Sequence, residues 1–287
     1  MGFMRVLVKE TSLLVEGLSV IYSNGHKALD NASFSIPRQS ITALVGINGS
    51  GKSTLFKAIM GFVKSSGGRI ELFGGSVKDA LKANLVAYVP QNEEIDWDFP
   101  VLVKDVVMMG RYGHMGFLKI PNDNDYEIVK DSLKKVGMLE LENRQISELS
   151  GGQRKRVFLA RALAQQSEII LMDEPFTGID VNTEEEIMEL LREMKAEGKV
   201  MLISTHNLGS VPEFCDRTIL LNKTVLAEGE TTKVFTQENL TNAFEGVLRR
   251  YVLSANELHN DDDQREVVVL SDDERPVVIY GDDEKAD

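Results

Sequence analysis

The most constraining feature of this sequence is a glycine-rich stretch between an apolar run and a helical pattern. Residues 46–54 read Gly-Ile-Asn-Gly-Ser-Gly-Lys-Ser-Thr, which fits the pattern G-x-x-x-x-G-K-S/T. The apolar run 41–45 precedes this stretch, and residues 55–60 carry apolar side chains at helical spacing. A strand, a tight loop and a helix in this order direct backbone N–H groups and a helix N-terminus at one point, which suits an anion. The sequence therefore predicts a phosphate-binding loop.

Each residue of this loop has an expected task in binding a nucleotide. Lys52 is expected to place its ammonium group against the β- and γ-phosphate oxygens, and Ser53 to offer its hydroxyl group to Mg²⁺. The loop by itself predicts a P-loop nucleotidase and leaves kinases, GTPases and motor proteins open. The residues expected to contact the nucleotide here are Gly46, Asn48, Gly49, Ser50, Gly51, Lys52, Ser53 and Thr54.

A second apolar run ends in two carboxylates. Residues 169–172 are Ile-Ile-Leu-Met, and Asp173 and Glu174 follow directly. A buried strand of a parallel sheet would deliver Asp173 to the edge where the phosphate loop lies, so that Asp173 could hold Mg²⁺ and Glu174 could polarise the attacking water. A strand followed by an ordinary acidic turn would give the same pattern, so this run supports the prediction without deciding it.

Residues 149–153, Leu-Ser-Gly-Gly-Gln, narrow the class of nucleotidase. Ser150 lies 23 residues before Asp173, at the start of a predicted helix. Here the sequence resembles the ATP-binding-cassette (ABC) family, whose signature is this pentapeptide between the two Walker motifs. Ser150, Gly151, Gly152 and Gln153 would form a second anion site at a helix N-terminus. Two copies related by a two-fold axis would use both sites, with the phosphate loop of one copy facing the signature of the other.

The resemblance assigns roles to four further residues. Tyr22, 24 residues before Gly46, corresponds to an aromatic residue that stacks on adenine. Gln91 corresponds to the glutamine that reaches Mg²⁺ and the attacking water, and His206 to the histidine that contacts the γ-phosphate. Asp180 lies in the segment that touches the other subunit. From the residues alone, a core tyrosine and an ordinary histidine remain open.

The resemblance implies a fold and an activity. It covers roughly residues 13–246 and retains Glu174, which implies an ATPase with ATP and Mg²⁺ as cofactors. The implied fold is α/β: a P-loop NTPase ABC nucleotide-binding domain with a RecA-like core, an antiparallel β subdomain and a helical subdomain that carries the signature. We expect this domain at 11–246 and an acidic tail at 247–287, in which two apolar runs could pair as a β-hairpin.

Apolar runs and helical periodicity place the individual elements. The predicted helices follow residue 51 and cover 123–137, 153–164 and 183–197. The predicted strands cover 13–18, 32–36, 41–45, 69–73, 86–89, 169–173, 200–204 and 217–221.

Charge and composition limit the partners. The net charge is −13, and residues 254–287 alone hold 12 acidic and 3 basic residues, so nucleic acid is not an expected ligand. No apolar run approaches the roughly 20 residues of a membrane span. Any membrane association should therefore pass through a partner, with the chain peripheral at the cytoplasmic face of the inner membrane. The single cysteine, Cys215, excludes an intrachain disulfide and is expected to be a core or surface residue rather than a nucleophile.

Two kinds of driven process remain open. The first is transport, in which separate polytopic permease subunits would dock on the Gln91–Met109 region, where Trp97 and Phe99 lie among acidic residues. The second is a soluble ABC ATPase of the repair or translation type. Such proteins usually carry a coiled-coil insertion, zinc cysteines or two cassettes, and this sequence has none of these. A small-molecule kinase would leave residues 149–153 unexplained.

The resemblance extends to one group of importers. Residues 96–100 and 107–113 look like the bacterial importers of manganese, chelated iron and zinc, and the tail after residue 260 is similar to the iron/manganese branch. This implies import of manganese or iron, with an extracytoplasmic metal-binding protein as an indirect partner. Zinc or a siderophore complex stays open as the cargo, and the sequence does not name the permease.

Overall fold

The computed structural model describes residues 11–91, 100–244, 249–253, 267–271 and 277–280. The predicted permease contact is therefore described only in part, because Trp97 and Phe99 lie outside these ranges.

The N-terminal part of the chain forms an antiparallel sheet with the strand order β2-β1-β4-β5. Its strands are β1 (Thr11–Ile21), β2 (Lys27–Pro37), β4 (Gly67–Leu72) and β5 (Gly75–Ser76). β1 and β2 are longer than predicted because buried and more exposed residues alternate along them, so the apolar run marks only part of each strand. The antiparallel β subdomain is confirmed.

A six-stranded sheet forms the centre of the fold, in the order β10-β9-β3-β8-β7-β6. Its pairs are parallel except for β10 against β9. The edge strand β10 was not predicted, because partly exposed and fully exposed residues alternate along it and leave no apolar run. The strands are β3 (Ile41–Val45), β6 (Val86–Val89), β7 (Ile169–Asp173), β8 (Val200–Thr205), β9 (Arg217–Asn222) and β10 (Thr224–Glu230).

The order of this sheet brings distant parts of the sequence together. β8 lies between β3 and β7 and is parallel to both. The carboxyl ends of these strands therefore share one edge, where β3 leads into the phosphate loop, β7 ends at Asp173 and β8 leads to His206. Every residue of the three strands is buried, which explains why their apolar runs predicted them well.

Helices cover the central sheet and build a separate helical region. α1 (Lys52–Ile59) follows the phosphate loop, and α6 (Val181–Ala196) follows β7. The helical region consists of α3 (Val103–Met108), α4 (Asp123–Lys135) and α5 (Gly151–Ala164), which share one apolar core that includes Val107, Leu133 and Phe158. α5 carries the signature at its start, as predicted. Shorter helices are α2 (Val77–Lys82), α7 (Val211–Phe214), α8 (Thr231–Val234) and α9 (Gln237–Ala243).

The C-terminal residues that the structure describes form a small antiparallel sheet in the order β11-β12-β13. β12 (Val267–Ser271) and β13 (Val277–Tyr280) fall on the two apolar runs of the tail, and β11 (Arg249–Leu253) adds a third strand. In the described part of the chain, no helix combines the length and apolar character of a membrane span.

Candidate nucleotide-binding site

The phosphate loop is held in shape by the chain around it. A Cβ atom on Gly46 would lie 2.1 Å from the Leu221 carbonyl oxygen, so only glycine fits there. Gly51 has φ +104°, and its Cβ atom would lie 2.7 Å from the Ala28 carbonyl oxygen. Neither backbone oxygen can move away as the tip of a side chain could. The two glycines therefore let the loop pass between β2 and β9.

Lys52 is a buried cation, with 6% of its surface exposed. Its Nζ donates hydrogen bonds to the carbonyl oxygens of Gly46 at 2.7 Å and Ile47 at 3.2 Å. Burial lowers the pKa of Lys52, and the nearby carboxylates of Glu174 and Asp173 oppose that shift. A phosphate in the loop would supply the anionic partner that a buried ammonium group needs.

The two carboxylates at the end of β7 are tied to β8 through Ser204. The Ser204 hydroxyl group is buried; it donates to Asp173 Oδ1 at 2.6 Å and accepts from the backbone N–H of Glu174 at 2.9 Å. Glu174 has φ +51°, a left-handed conformation that costs a non-glycine residue about 1–2 kcal/mol. Ser204 therefore helps to hold Glu174 in an unfavourable backbone conformation.

No motif singles out Ser204 in the sequence. The available signal is its place, a hydroxyl residue within the apolar strand Val200–Thr205 and two residues before His206. A polar side chain at a fully buried strand position is expected to have a hydrogen-bonding task.

Glu174 lies close to Gln91 and His206, the two other residues that were predicted to act in hydrolysis. Gln91 Nε2 donates to Glu174 Oε2 at 2.6 Å, and His206 Nδ1 lies 3.4 Å from the same oxygen. The hydrogen bond from His206 lowers the pKa of Glu174 most, and the charges of His206 and Lys52 add to this against the opposing effect of burial. Glu174 is therefore a carboxylate near neutral pH and can accept a proton or a hydrogen bond from water.

A cleft of about 300 Å³ lies over the phosphate loop. Tyr22 lies at this cleft, and its hydroxyl oxygen is 3.1 Å from Thr54 Oγ1. The predicted residues that line the cleft are Tyr22, Asn48, Gly49, Gly51, Lys52, Ser53, Thr54, Gln91 and Glu174. The sequence thus selected residues that the fold gathers around one space.

The predicted magnesium ligands line a neighbouring cavity. Ser53, Gln91 and Asp173 border one space of about 750 Å³. They offer a hydroxyl, an amide and a carboxylate oxygen, the kind of oxygen donors that Mg²⁺ prefers. Gln91 directs its NH₂ group to Glu174, so its amide oxygen remains as the donor for a cation. This donor set fits the predicted ion.

The signature residues lie apart from the cleft over the phosphate loop. Ser150 caps α5: its hydroxyl oxygen accepts from Gln153 N at 3.3 Å, and Gln153 Oε1 accepts from Ser150 N at 3.0 Å. A Cβ atom on Gly151 would meet nothing within 4 Å among the described residues, and on Gly152 it would meet only Ile179 at 3.6 Å. None of the described residues that line the cleft belongs to this segment.

Asp180 serves as the cap of α6. It accepts hydrogen bonds from the backbone and the side chain of Thr183, at 3.0 and 2.7 Å, and these lower the pKa of Asp180. It does not line the cleft over the phosphate loop. The helix begins at Val181 rather than at the predicted residue 183 because Asp180 caps it there.

Cys215 lies outside the site. Burial raises the pKa of its thiol to about 12, so the group stays neutral near pH 7. A neutral thiol is a poor nucleophile, which agrees with the expectation that Cys215 does not act as one.

Comparison with known proteins agrees with the family resemblance that the sequence motifs indicated. Residues 29–177 match the model of a family described as ABC transporter. The chelated iron transport system membrane protein YfeB of Yersinia pestis is 60% identical, over 90% of this chain and 88% of its own length. The manganese transport system ATP-binding protein MntA of Synechocystis sp. is 54% identical, over 89% and 97%. A metal-chelate type ABC transporter solved in an inward-facing conformation matches with a TM-score of 0.75 and 27% identity, over 92% of this chain and 98% of its own. By its motifs, its fold and its relatives, this chain belongs to the ABC transporter family and to the ATP-binding subunits within it.

Proposed function

We propose that this chain is the ATP-hydrolysing subunit of a membrane importer for a divalent metal, manganese or iron. The observation that carries the hydrolytic part is the convergence of Lys52, Gln91, Glu174 and His206 beside the phosphate loop. The relatives named for chelated iron and manganese transport support the cargo. They also favour transport over a soluble ATPase of repair or translation.

Binding uses groups that the fold already holds in place. Tyr22 stacks on the adenine ring, which selects weakly among bases because every base has a π face. Lys52 and the loop N–H groups hold the β- and γ-phosphates, and Ser53, Gln91 and Asp173 hold Mg²⁺. When bound, Mg²⁺ neutralises part of the negative charge on the phosphate oxygens.

Hydrolysis rests on positioning and charge rather than on covalent chemistry. Glu174, an anion with a lowered pKa, orients the attacking water and accepts a hydrogen bond from it. His206 contacts the γ-phosphate. Gln91 couples the hydrolytic site to the helical region, which follows Gln91 in the chain.

A second copy of the chain completes each site. Residues 150–153 form an anion site without a phosphate loop beside it in the same chain, and the space around Gly151 is open among the described residues. In a head-to-tail homodimer this segment covers the γ-phosphate of the other copy. The γ-phosphate thus joins the two copies. Hydrolysis releases this phosphate, and the dimer reopens.

The permease docks on the Gln91–Met109 region, and the chain is peripheral at the cytoplasmic face of the inner membrane. Gln91 and Met109, at the two ends of this region, border the cavity of about 750 Å³. An extracytoplasmic metal-binding protein delivers the metal to the permease and has no contact with this chain.

The decisive variant is Glu174→Gln. Steady ATP turnover should fall by about 10²–10³-fold because the carboxylate that orients water is lost. ATP binding should be retained, and a nucleotide-bound dimer should accumulate in size-exclusion chromatography. The control is Glu140→Gln, an exposed residue of the helical region, which should behave as the parent. Retained turnover in Glu174→Gln would remove this residue from the proposed role.

The cargo is tested separately by uptake. Cells that lack the chain should accumulate less labelled manganese or iron, and the parent chain should restore uptake whereas Glu174→Gln should not. Restoration of zinc uptake alone would move the proposal to zinc.

A further inference from the structure

A further cavity lies beside the hydrolytic residues, between α5 of the helical region and the central sheet. Its volume is about 410 Å³, and its described walls come from α5, from the carboxyl ends of β6 and β7 and from α6. We term it the α5 cavity. Pockets for small organic ligands typically have volumes of about 300–1,000 Å³, so this space has the size of a ligand site.

Most of the lining of the α5 cavity is apolar. Phe158 and Leu159 line it from α5, Met172 from β7 and Ile187 from α6. Each of these four residues has at most 6% of its surface exposed. An apolar ligand body that packs against such side chains removes apolar area from water on both partners, which is favourable. The lining therefore predicts a ligand with an apolar body.

The charged groups of the α5 cavity favour an anion. Two cations, Arg154 and Lys155, are among its described lining residues, against one carboxylate, that of Glu174, which already lies 3.4 Å from His206. The ammonium group of Lys155 donates to the carbonyl oxygen of Thr177, a neutral group, and burial lowers its pKa. An anion beside a partly buried ammonium group favours the charged form of that group. The cavity thus combines an apolar lining with a cationic end.

Contacts between α5 and the segment after β7 hold the walls of the cavity. Lys155 on α5 bonds to Thr177, which follows β7. Arg156 on α5 donates to Thr183 Oγ1 at 2.6 Å and lies 3.2 Å from Glu186 Oε2, both on α6. A site whose walls are held in place before binding loses little conformational entropy when the ligand enters.

The α5 cavity shares two residues with the proposed hydrolytic site. Gln91 and Glu174 border both this cavity and the cleft over the phosphate loop, whereas no residue of the phosphate loop is among its described lining residues. A ligand here would lie against the residues that position water and leave the phosphate-binding groups unoccupied. It should therefore lower kcat and leave the KM for ATP almost unchanged.

We propose that the α5 cavity is a regulatory site for a small amphipathic organic anion. The apolar body of this ligand, of about 10–20 non-hydrogen atoms, packs against Phe158, Met172 and Ile187. Its carboxylate or sulfonate group lies beside Arg154 and Lys155. Binding slows hydrolysis through the two shared residues. The regulatory half rests on the proposed function, because it needs ATP turnover to slow, whereas the binding half does not.

The probes are three naphthalene derivatives of nearly equal size and different charge: 2-naphthoate, neutral 2-naphthamide and the cation 2-naphthylmethylammonium. Their binding to the full chain is titrated by ligand-observed saturation-transfer NMR. ATP turnover is then measured over a range of ATP concentrations, with and without saturating 2-naphthoate. The effect of 2-naphthoate is expressed relative to the rate of the same variant without it.

One variant fills the cavity and another removes charge from it. Ile187→Trp has room because Ile187 also borders a neighbouring cavity of about 270 Å³. Its matched control is Leu190→Trp, on the same helix and similarly buried, because Leu190 borders the neighbouring cavity and not the α5 cavity. Lys155→Gln removes the charge and keeps a donor for Thr177. Its control is Lys130→Gln, an exposed lysine of α4.

We expect 2-naphthoate to bind the parent with a Kd between about 10 μM and 1 mM, the range for a ligand of this size. The amide should bind about 5-fold more weakly, and the cation more weakly still. Ile187→Trp should weaken the binding of 2-naphthoate at least about 10-fold because it occupies the space, and Lys155→Gln about 5-fold. Both controls should stay within about twofold of the parent. Saturating 2-naphthoate should slow turnover by the parent at least about twofold at unchanged KM.

The absence of saturable binding of 2-naphthoate would overturn the inference, as would equal binding of the three probes. Equal weakening by Ile187→Trp and Leu190→Trp, or saturated binding that leaves turnover unchanged, would overturn it too. Melting temperatures show whether each variant folds, and Lys155→Gln with its control decides the matter if a tryptophan variant does not. The expected order of binding in a parent chain that shows no ATP turnover would overturn the proposed function and leave the binding site standing.

Discussion

The phosphate loop and the signature segment are both glycine-containing turns at the start of a helix, yet the fold treats them differently. Around the phosphate loop, a Cβ atom on Gly46 would overlap backbone, and Ser50 and Lys52 are buried. Around the signature, Ser150 and Gly151 are exposed, and a Cβ atom on Gly151 meets nothing within 4 Å among the described residues.

This difference indicates which of the two segments gets its conformation from contacts within one chain. Gly46 and Gly51 of the phosphate loop lie against the backbone of β9 and β2, so the fold of one chain sets the conformation of the loop. In the signature, Ser150 and Gly151 are exposed at the capping box that begins α5, so this end of the helix is open to contact with another molecule. Substitutions in the first segment should therefore act on the single chain, and substitutions in the second on assembly.

The largest effect is expected for Gly46→Ala. The added Cβ atom would lie 2.1 Å from the Leu221 carbonyl oxygen, so backbone must shift, at a cost of about 3 kcal/mol or more. We expect the melting temperature to fall and ATP binding to be lost in titrations with a fluorescent ATP analogue.

Gly49→Ala is the matched control for Gly46→Ala. Gly49 has φ +83° and no atom within 4 Å of its Cβ position among the described residues, so only backbone strain of about 1–2 kcal/mol is expected. Equal destabilisation by the two variants would mean that close packing does not set the shape of the loop.

The second prediction concerns Gly151→Leu. Because the position is open within the chain, the free energy of unfolding should change by no more than about 0.5 kcal/mol, and ATP binding to the single chain should persist. Steady turnover should fall by about 10²-fold because the side chain blocks the approach of the second copy. In the Glu174→Gln background, the ATP-dependent dimer should disappear from analytical ultracentrifugation. A variant with parental turnover would show that each chain hydrolyses ATP without the signature of another.

The smallest effect on ATP turnover is expected for Ser204→Ala, a substitution on the side of the site that the fold of one chain holds in place. The variant removes the hydroxyl group that contacts both Asp173 and the N–H of Glu174, at a cost of about 1–3 kcal/mol. Turnover should fall about 10-fold, whereas the affinity for ATP should stay near that of the parent, because Ser204 positions the carboxylates without contacting the nucleotide loop.

Thr42→Val is the control for Ser204→Ala. Thr42 lies on the neighbouring strand β3, and its buried Oγ1 has no hydrogen-bond partner among the described residues. Its removal should be neutral or stabilising by up to about 1 kcal/mol. Equal loss of turnover in both variants would indicate a general packing defect.

The sequence predicted best where structure is local or fully buried. The strands at 41–45, 86–89 and 169–173 were predicted with their observed bounds, because a strand covered on both faces is a continuous apolar run. The strand β10 was not predicted, and β1 and β2 were predicted too short, because exposed positions interrupt their apolar pattern.

The sequence also predicted most residues of the candidate site, since glycines, a lysine and a hydroxyl at fixed spacing report a local conformation. It gave no sign of the Ser204 contacts, which depend on which strand lies beside β7. It gave no sign of the ion pair between Arg111 and Asp125 either, because the sequence alone does not show whether an arginine is buried.

By itself, the sequence determined which local motifs the chain carries: a glycine-rich loop of the phosphate-binding pattern, two carboxylates at the end of a strand, and a signature at a helix start. Only the tertiary structure decided their relation. The order β3-β8-β7 brings residues 46–54, Glu174 and His206 to one edge, while no residue of the signature at 149–153 lines the cleft over the phosphate loop. The physical reason is that spacing along a chain fixes local backbone geometry, whereas proximity between distant segments depends on which buried strands pair.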